Sequence, residues 1–472
     1  MTAALTHETA LGVVEKLKAG TISPLECLDA LEARIAAVDG AVNALPTLCF
    51  DRARQHARAM MARAADERGA LYGLPVAIKD LTNVAGVRTT QGSPIYKDHV
   101  PASSDPLVER LEAEGGVVYA KSNTPEFGAG ANTFNEVFGA TLNPWNTSRS
   151  AAGSSGGAAV ALATGTAWLA HGSDLGGSLR NPASFCGIVG LRPSPGRVAT
   201  ERGAPIENML SVQGPMARNV EDCAFFLDCM TGEDVRDPVA LPKPSTSFLA
   251  AARSGQRPAR VAWSADLGIT PVDAEVAAIT AKAAARFAEI GAEVEAAHPD
   301  FSGAHDSFNV LRAKNFAVSK KALLETKRDL LKPEVIWNIE AGLKYTMDDL
   351  VRAETTRATL RNRVLTFFER YDVICTPATI VAPFPVGQRY VEEVNGVRFD
   401  NYVHWLSIAY AFTLVGCPAI SIPCGFTKVG LPVGLQIAAR PRGEHLLFSA
   451  AKALEEVLGL RTSVPIDPRP GS

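Results

Sequence analysis

From Ser150 to Ser173 the chain runs without a single Asp, Glu, Lys or Arg. A stretch of that length and polarity belongs inside a large folded body or inside a bilayer. Its composition argues against the bilayer. Gly153, Gly156, Gly157, Gly165 and Gly172, with several Ser and Thr, stand where a lipid-facing helix would carry large aliphatic residues. We therefore read it as a buried, glycine-rich core segment and expect no membrane contact. A chain of 472 residues, 47% hydrophobic and 21% charged, is long and apolar enough to bury such a segment.

On either side of this stretch, helical and strand signals alternate from start to end, which predicts an α/β sheet protein. Ser23-Pro24 is a cap and first-turn pair for a helix through about Val38. Residues 51–68 are charged and alanine-rich and predict another helix. Leu74-Pro75-Val76-Ala77-Ile78 is a short buried strand that delivers Lys79 and Asp80 at its end, followed by strands at Val117–Ala120 and Thr166–Ala170. Val276, Ile279, Ala283, Phe287 and Ile290 share one helical face, with Gly291 as a stop. Asn395-Gly396 between Tyr390-Val391 and Val397–Phe399 predicts a two-residue hairpin. The proline-rich run 231–258 reads as a surface connection with no composition shift after it. The expectation is one large domain with a peripheral helical portion over about 260–370.

Formal net charge is −3 with both signs interspersed, so nothing electrostatic predicts nucleic acid or an anionic membrane as partner. Eight cysteines occur without a CxxC pair or neighbouring histidines, which predicts free thiols rather than a zinc site or a disulfide framework. The first twenty residues carry Glu8, Glu15, Lys16 and Lys18 and no apolar core, so we expect no secretory signal and a cytoplasmic location. No metal or cofactor is expected.

The chemistry concentrates between Gly153 and Pro193. Gly153-Ser154-Ser155-Gly156-Gly157 is followed by Gly172-Ser173-Asp174-Leu175-Gly176-Gly177-Ser178-Leu179-Arg180. Glycines around a serine let the backbone turn tightly and approach a ligand, and consecutive N–H groups in such a turn can hold an anion. Asn181-Pro182 reads as the cap and first residue of a short helix, leaving Ser178 in the loop ahead of it. Such a serine, with the N–H groups of Leu175, Gly176, Gly177 and Ser178 nearby, has the parts for acyl transfer. Turns and close strand packing are the plain alternative for either loop. Neither phosphate-loop pattern occurs. Gly153–Gly157 also matches GxSxG formally, but that elbow needs a strand directly before it, and Asn143–Arg149 reads as loop. No histidine stands out as base, His171 reading as a core residue. Lys79 is the other option, provided burial lowers its pKa.

Taken together these segments resemble the amidase signature family. Gly73–Asp80 resembles its lysine motif and Gly153–Gly157 its first serine motif. Asp174, Gly176–Arg180, Pro182-Ala183, Phe185–Gly187 and Gly190-Leu191 resemble its core signature, and Gly430–Gln436 its C-terminal strand. The resemblance implies a large mixed, mostly parallel twisted sheet of about eleven strands with helices on both sides. It implies N-terminal helices over 1–70, a signature core over 71–230, and C-terminal core strands and helix over 371–460. It also implies a catalytic triad of Ser178 as nucleophile, Lys79 as base and Ser154 as relay, the last following a cis peptide at Gly153. Leu175, Gly176, Gly177 and Ser178 would form the oxyanion hole, with Ser155 and Asp174 as supporting groups.

The implied function is hydrolysis of a carboxylic amide through a seryl acyl-enzyme, releasing ammonia or an amine from small aliphatic or aryl amides. The alternative is the glutamine-hydrolysing component of a tRNA-dependent amidotransferase, which works within a multi-protein complex. Against it stand Asn123-Thr124-Pro125-Glu126-Phe127-Gly128 and Arg192-Pro193-Ser194-Pro195-Gly196-Arg197, which depart from that component's Asn-Met-Asp-Glu-Phe and Lys-Pro-Thr-Tyr-Gly-Arg runs. A non-catalytic binding member is opposed by the intact Lys79, Ser154 and Ser178. The partner expected is a small amide, with room for a homodimer. Phe127, Phe134, Tyr402 and Trp405 are the candidates for the substrate pocket, with Tyr410 and Phe412 beside them, although aromatic residues along one helix also serve as plain core.

Overall fold

Eleven short runs of strand join a single sheet in the computed structural model, which describes residues 2–200, 203 and 205–471. They are Thr47–Leu48 (β1), Pro75–Lys79 (β2), Val117–Ser122 (β3), Leu169–Asp174 (β4), Val189–Arg192 (β5) and Val212–Ala217 (β6), then Arg260–Trp263 (β7), Glu293–Ala296 (β8), Val373–Pro377 (β9), Ala419–Phe426 (β10) and Pro432–Ala439 (β11). The spatial order is β1-β3-β2-β4-β6-β5-β10-β11-β9-β7-β8. The sheet is mixed, as the resemblance implies. Its parallel pairs, β3–β2, β2–β4, β9–β7 and β7–β8, lie in the two flanks. The centre is antiparallel, because β6 inserts between β4 and β5 and because β10 and β11 form a hairpin.

Successive strand residues face opposite sides of a sheet, yet every residue of β2, β3 and β4 is buried. Both faces are therefore covered, as apolar parallel strands require. The uncharged stretch supplies part of that cover. Its helix, Gly156–Ala163, is buried at every position and packs on β2, β3, β4 and β6. Among the described residues no helix is long and apolar enough to cross a membrane.

Most expected elements are present with small shifts. Pro24–Val38 is a helix whose Ser23 cap and Glu26 form a reciprocal capping box. The helix expected over 51–68 is Phe50–Met61 with a short 3-10 turn after it. Asp273 caps Ala274–Ala285, a 3-10 turn continues it to Ile290, and Gly291 closes it in the left-handed region. Asn395 and Gly396, both at positive φ, turn the small hairpin Glu393–Val394 and Val397–Arg398.

Three expectations need correction. The third early strand starts at Leu169 and runs to Asp174, because Thr166 is held in a turn by its hydroxyl bond to the Ala161 carbonyl. The helix after the serine loop begins at Arg180, so Asn181 lies in its first turn and does not cap it. The portion 260–370 is not helical throughout, since β7 and β8 form one edge of the main sheet. The run 231–258 carries a helix, Phe248–Arg253, that packs on Glu444–Leu458 and Val220–Met230.

Candidate active site

Parallel strands β2 and β4 are neighbours and end together, so Lys79 and the pair Ser173-Asp174 reach the same edge of the sheet. The carboxyl ends of such strands are where α/β sheets hold ligands. The side chains of Lys79 and Asp80 leave the strand in opposite directions. Asp80 accepts from Thr90 and faces Lys121 at 3.3 Å, which leaves Lys79 with no carboxylate in contact. Lys79 is fully buried, and its Nζ lies 2.7 Å from Ser154 Oγ, 2.9 Å from Ser155 Oγ and 3.0 Å from Ser173 Oγ.

Burial lowers the Lys79 pKa to about 7, and the more distant charge of Asp174 opposes that shift. An uncharged amine has two N–H donors and one lone pair for its three hydroxyl neighbours. Ser155 spends its proton on the Ser173 carbonyl and accepts the Ser173 N–H, so its oxygen accepts from Lys79. Ser154 Oγ has no partner but Lys79 among the described residues and can turn its proton toward the lone pair. His171 does not compete as a base. Its Nδ1 accepts the Lys79 backbone N–H, its Nε2 faces Gln213 at 2.7 Å, and burial drives its pKa down to about 3.

The serine loop is shaped by Asp174. Burial alone would raise its carboxyl, but Arg180 and Arg192 reverse that and hold it well below the usual carboxylate range. Arg180 grips both oxygens, at 3.1 and 2.9 Å, and Arg192 Nη1 lies 3.2 Å from one of them. Arg180 in turn donates to Gln436 Oε1 at 2.6 Å and to the Ala409 carbonyl, which ties the loop to β11. Asp174 also accepts the N–H groups of Gly177 and Leu179. Asp174→Asn would leave two buried guanidiniums uncompensated. Breaking a buried pair this way costs about 3–5 kcal/mol, so a lowered thermal unfolding midpoint is expected by calorimetry.

Ser178 is half-buried and follows Gly177, whose φ is +106° and whose absent Cβ would lie 2.5 Å from Asn181 Oδ1. Only glycine fits that turn. The peptide between Gly153 and Ser154 is cis. The Ser155 N–H donates to the Ser178 carbonyl at 3.2 Å, which pins the two serine loops together. No hydrogen bond joins the hydroxyls of Ser154 and Ser178 among the described residues. Contacts of this kind often tighten only when substrate binds.

Of the four N–H groups expected to face an oxyanion, that of Gly177 is already taken by Asp174 Oδ1. Those of Leu175, Gly176 and Ser178 have no acceptor among the described residues, and all three residues line a cavity with Ser154 and Ser173.

That cavity encloses about 550 Å³, its open mouth included, and its outer wall is formed by Leu81, Phe127, Arg312, Phe316 and Leu406. Of the four aromatic candidates, only Phe127 is in the wall. Phe134 lies in a neighbouring depression beneath Lys332 and Arg389. Tyr402 is turned into the core, where its hydroxyl accepts from Asn338. Trp405 is also core, edge-on to Phe384. Ser173, Arg312, Phe316 and Leu406 do not stand out in the sequence. Ser173 lies inside the serine motif, so alternation along β4 could have placed it beside Lys79.

The family model described as Amidase matches residues 26–448. The chain is 36% identical to an acylamidase of Rhodococcus erythropolis, with 97% of each chain covered. It is 35% identical to the A component of the glutamyl-tRNA(Gln) amidotransferase of Anaeromyxobacter dehalogenans, covering 98% of this chain and 97% of that one. Its fold superposes with a TM-score of 0.89 on the crystal structure of a bacterial aryl acylamidase of the amidase signature family, at 26% identity, covering 97% of this chain and 99% of the other. The chain therefore belongs to the amidase signature family, and it is an amide-hydrolysing enzyme.

Proposed function

We propose that this amidase works as one catalytic unit on small aliphatic or aryl amides, through an acyl-enzyme on Ser178. The observation that carries the reading is the buried Lys79 amine, bonded to Ser154 and beside the cavity that Ser178 shares. Near neutral pH a large share of Lys79 is uncharged. It draws the Ser154 proton, Ser154 takes the proton of Ser178, and Ser178 Oγ attacks the amide carbon. This requires the two hydroxyls, which line the same cavity, to come into hydrogen-bond contact. The N–H groups of Leu175, Gly176 and Ser178 receive the charge that develops on the carbonyl oxygen. The proton then passes from Lys79 through the Ser154 hydroxyl to the departing nitrogen, and the C–N bond breaks. Water then cleaves the ester, with Lys79 again as base, and frees Ser178.

Eight free thiols, seven of them buried, fit a reducing compartment such as the cytoplasm. The amidotransferase component is the competing reading, favoured by the 35% identity to such a protein over nearly the whole chain. Purified chain offered benzamide, hexanamide, glutamine and an anilide separates the two. We expect ammonia or amine release from the simple amides by the chain alone. Glutamine hydrolysis that appears only when a partner protein is added would reverse the assignment.

A further inference from the structure

Arg312 is the buried guanidinium that lines the catalytic cavity among the described residues. It projects from the helix Ala304–Lys327, is 6% exposed, and forms part of the wall of the catalytic cavity. Its guanidinium donates to Asn338 Oδ1 and lies over the rings of Phe316 and Tyr402, 4.8 and 5.3 Å from their centres. Of the other buried guanidiniums, Arg180 and Arg192 share Asp174, Arg197 meets Glu444, and Arg218, away from the cavity, spends its donors on the backbone carbonyls of Thr6 and Glu8. Among the described residues no carboxylate lies within ion-pair distance of Arg312. The nearby Glu334 is gripped by both ends of Arg389, at 2.8 and 2.7 Å.

A buried cation without a counter-charge is costly, and a planar fork of donors matches the paired oxygens of a carboxylate, the anion that an amide substrate most readily carries. The rest of the outer wall, Leu81, Phe127, Phe316 and Leu406, is apolar and offers no second site for a charge. We infer that Arg312 is a specificity-determining residue that receives a carboxylate of the substrate, so that the preferred amides are anionic. The inference rests on the amidase reading above. The carboxylate can sit on the acyl side of the scissile bond, as in the monoamide of a dicarboxylic acid, or on the amine side, as in an N-acyl amino acid.

Two substrate pairs differing only in that charge test it: succinamate against butanamide for the acyl side, and hippurate against N-ethylbenzamide for the amine side. We expect the wild type to favour the anionic member of one pair by about 10–100-fold in kcat/KM, the worth of a charge-assisted hydrogen bond. Arg312→Gln brings that ratio close to one, and Arg312→Lys, which keeps the charge without the fork, lowers it several-fold. A merely structural Arg312 would alter both members of a pair alike. Wild-type ratios at or below one in both pairs, with the neutral amides turned over, overturn the inference while leaving the amidase reading intact, and this holds even where a variant does not fold. A preference that survives in Arg312→Gln overturns it as well. No turnover of any of the four amides removes the proposed preference for small aliphatic or aryl amides and this inference together.

Discussion

Ser178→Ala is expected to lower kcat/KM for any good amide substrate by about 10⁶-fold, the usual scale for losing a serine nucleophile. The change deletes one half-buried hydroxyl that has no hydrogen-bond partner among the described residues. Its effect on stability is therefore expected within about 0.5 kcal/mol, and calorimetry should return an unfolding midpoint close to wild type. The glycines and Asp174 that hold the loop are untouched, so substrate should still bind. Tandem mass spectrometry of wild type quenched during turnover should place the acyl group on Ser178, within the peptide 150–180, and find none in the alanine variant. Fragment ions that carry the acyl label at Ser154 or Ser155 would assign the nucleophile elsewhere.

Lys79→Met is the second large effect. Methionine keeps much of the volume and removes the amine from Ser154, Ser155 and Ser173. A positioned base contributes about 10²–10⁴-fold, and a loss in that range is expected. The sign of the pH dependence follows from the depressed pKa. Lys79 must be uncharged to accept a proton, so wild-type kcat/KM should fall as pH drops through about 7 and level off above it. Asp174, fully ionised across that range, opposes the depression without changing the direction. The acid limb should vanish in Lys79→Met. The same shift acts on stability. Between about pH 7 and the ordinary lysine pKa the unfolded chain binds a proton at Lys79 that the folded chain has given up, so stability rises with pH across this window, and the penalty for burying the charged amine is full below it. Methionine removes that linkage, so stability should depend less on pH in this window than in wild type.

The catalytic end of the site is legible in the sequence because its parts lie in short segments with strong local constraints. A strand that ends at Lys79, a glycine turn that only Gly177 can make and a buried Asp174 each leave a pattern there. The donor set is smaller than the motif suggests. Nothing local reveals that the Gly177 N–H is occupied until Asp174 is seen to accept it. The substrate end is barely legible. Arg312 and Phe316 are four apart on a long helix, and their shared face acquires meaning only once that helix docks over the carboxyl ends of β2 and β4. Tyr402 and Trp405 suit a pocket for the same reason that they suit a core. Leu406, next to Trp405 in the chain, is the residue that reaches the cavity. The strands β7 and β8 escape the sequence reading because four residues at the edge of a sheet carry little periodicity.

The proposed mechanism depends on an amine that loses its charge inside the protein near neutral pH. The direct measurement is an NMR titration of the Lys79 side chain in enzyme labelled at the lysine ε-carbon, assigned by comparison with Lys79→Met. The expected result is a single transition with its midpoint near pH 7, matching the acid limb of kcat/KM. A Lys79 signal that stays in its charged position up to the ordinary lysine range, about pH 10, while the enzyme remains active at neutral pH, would contradict it.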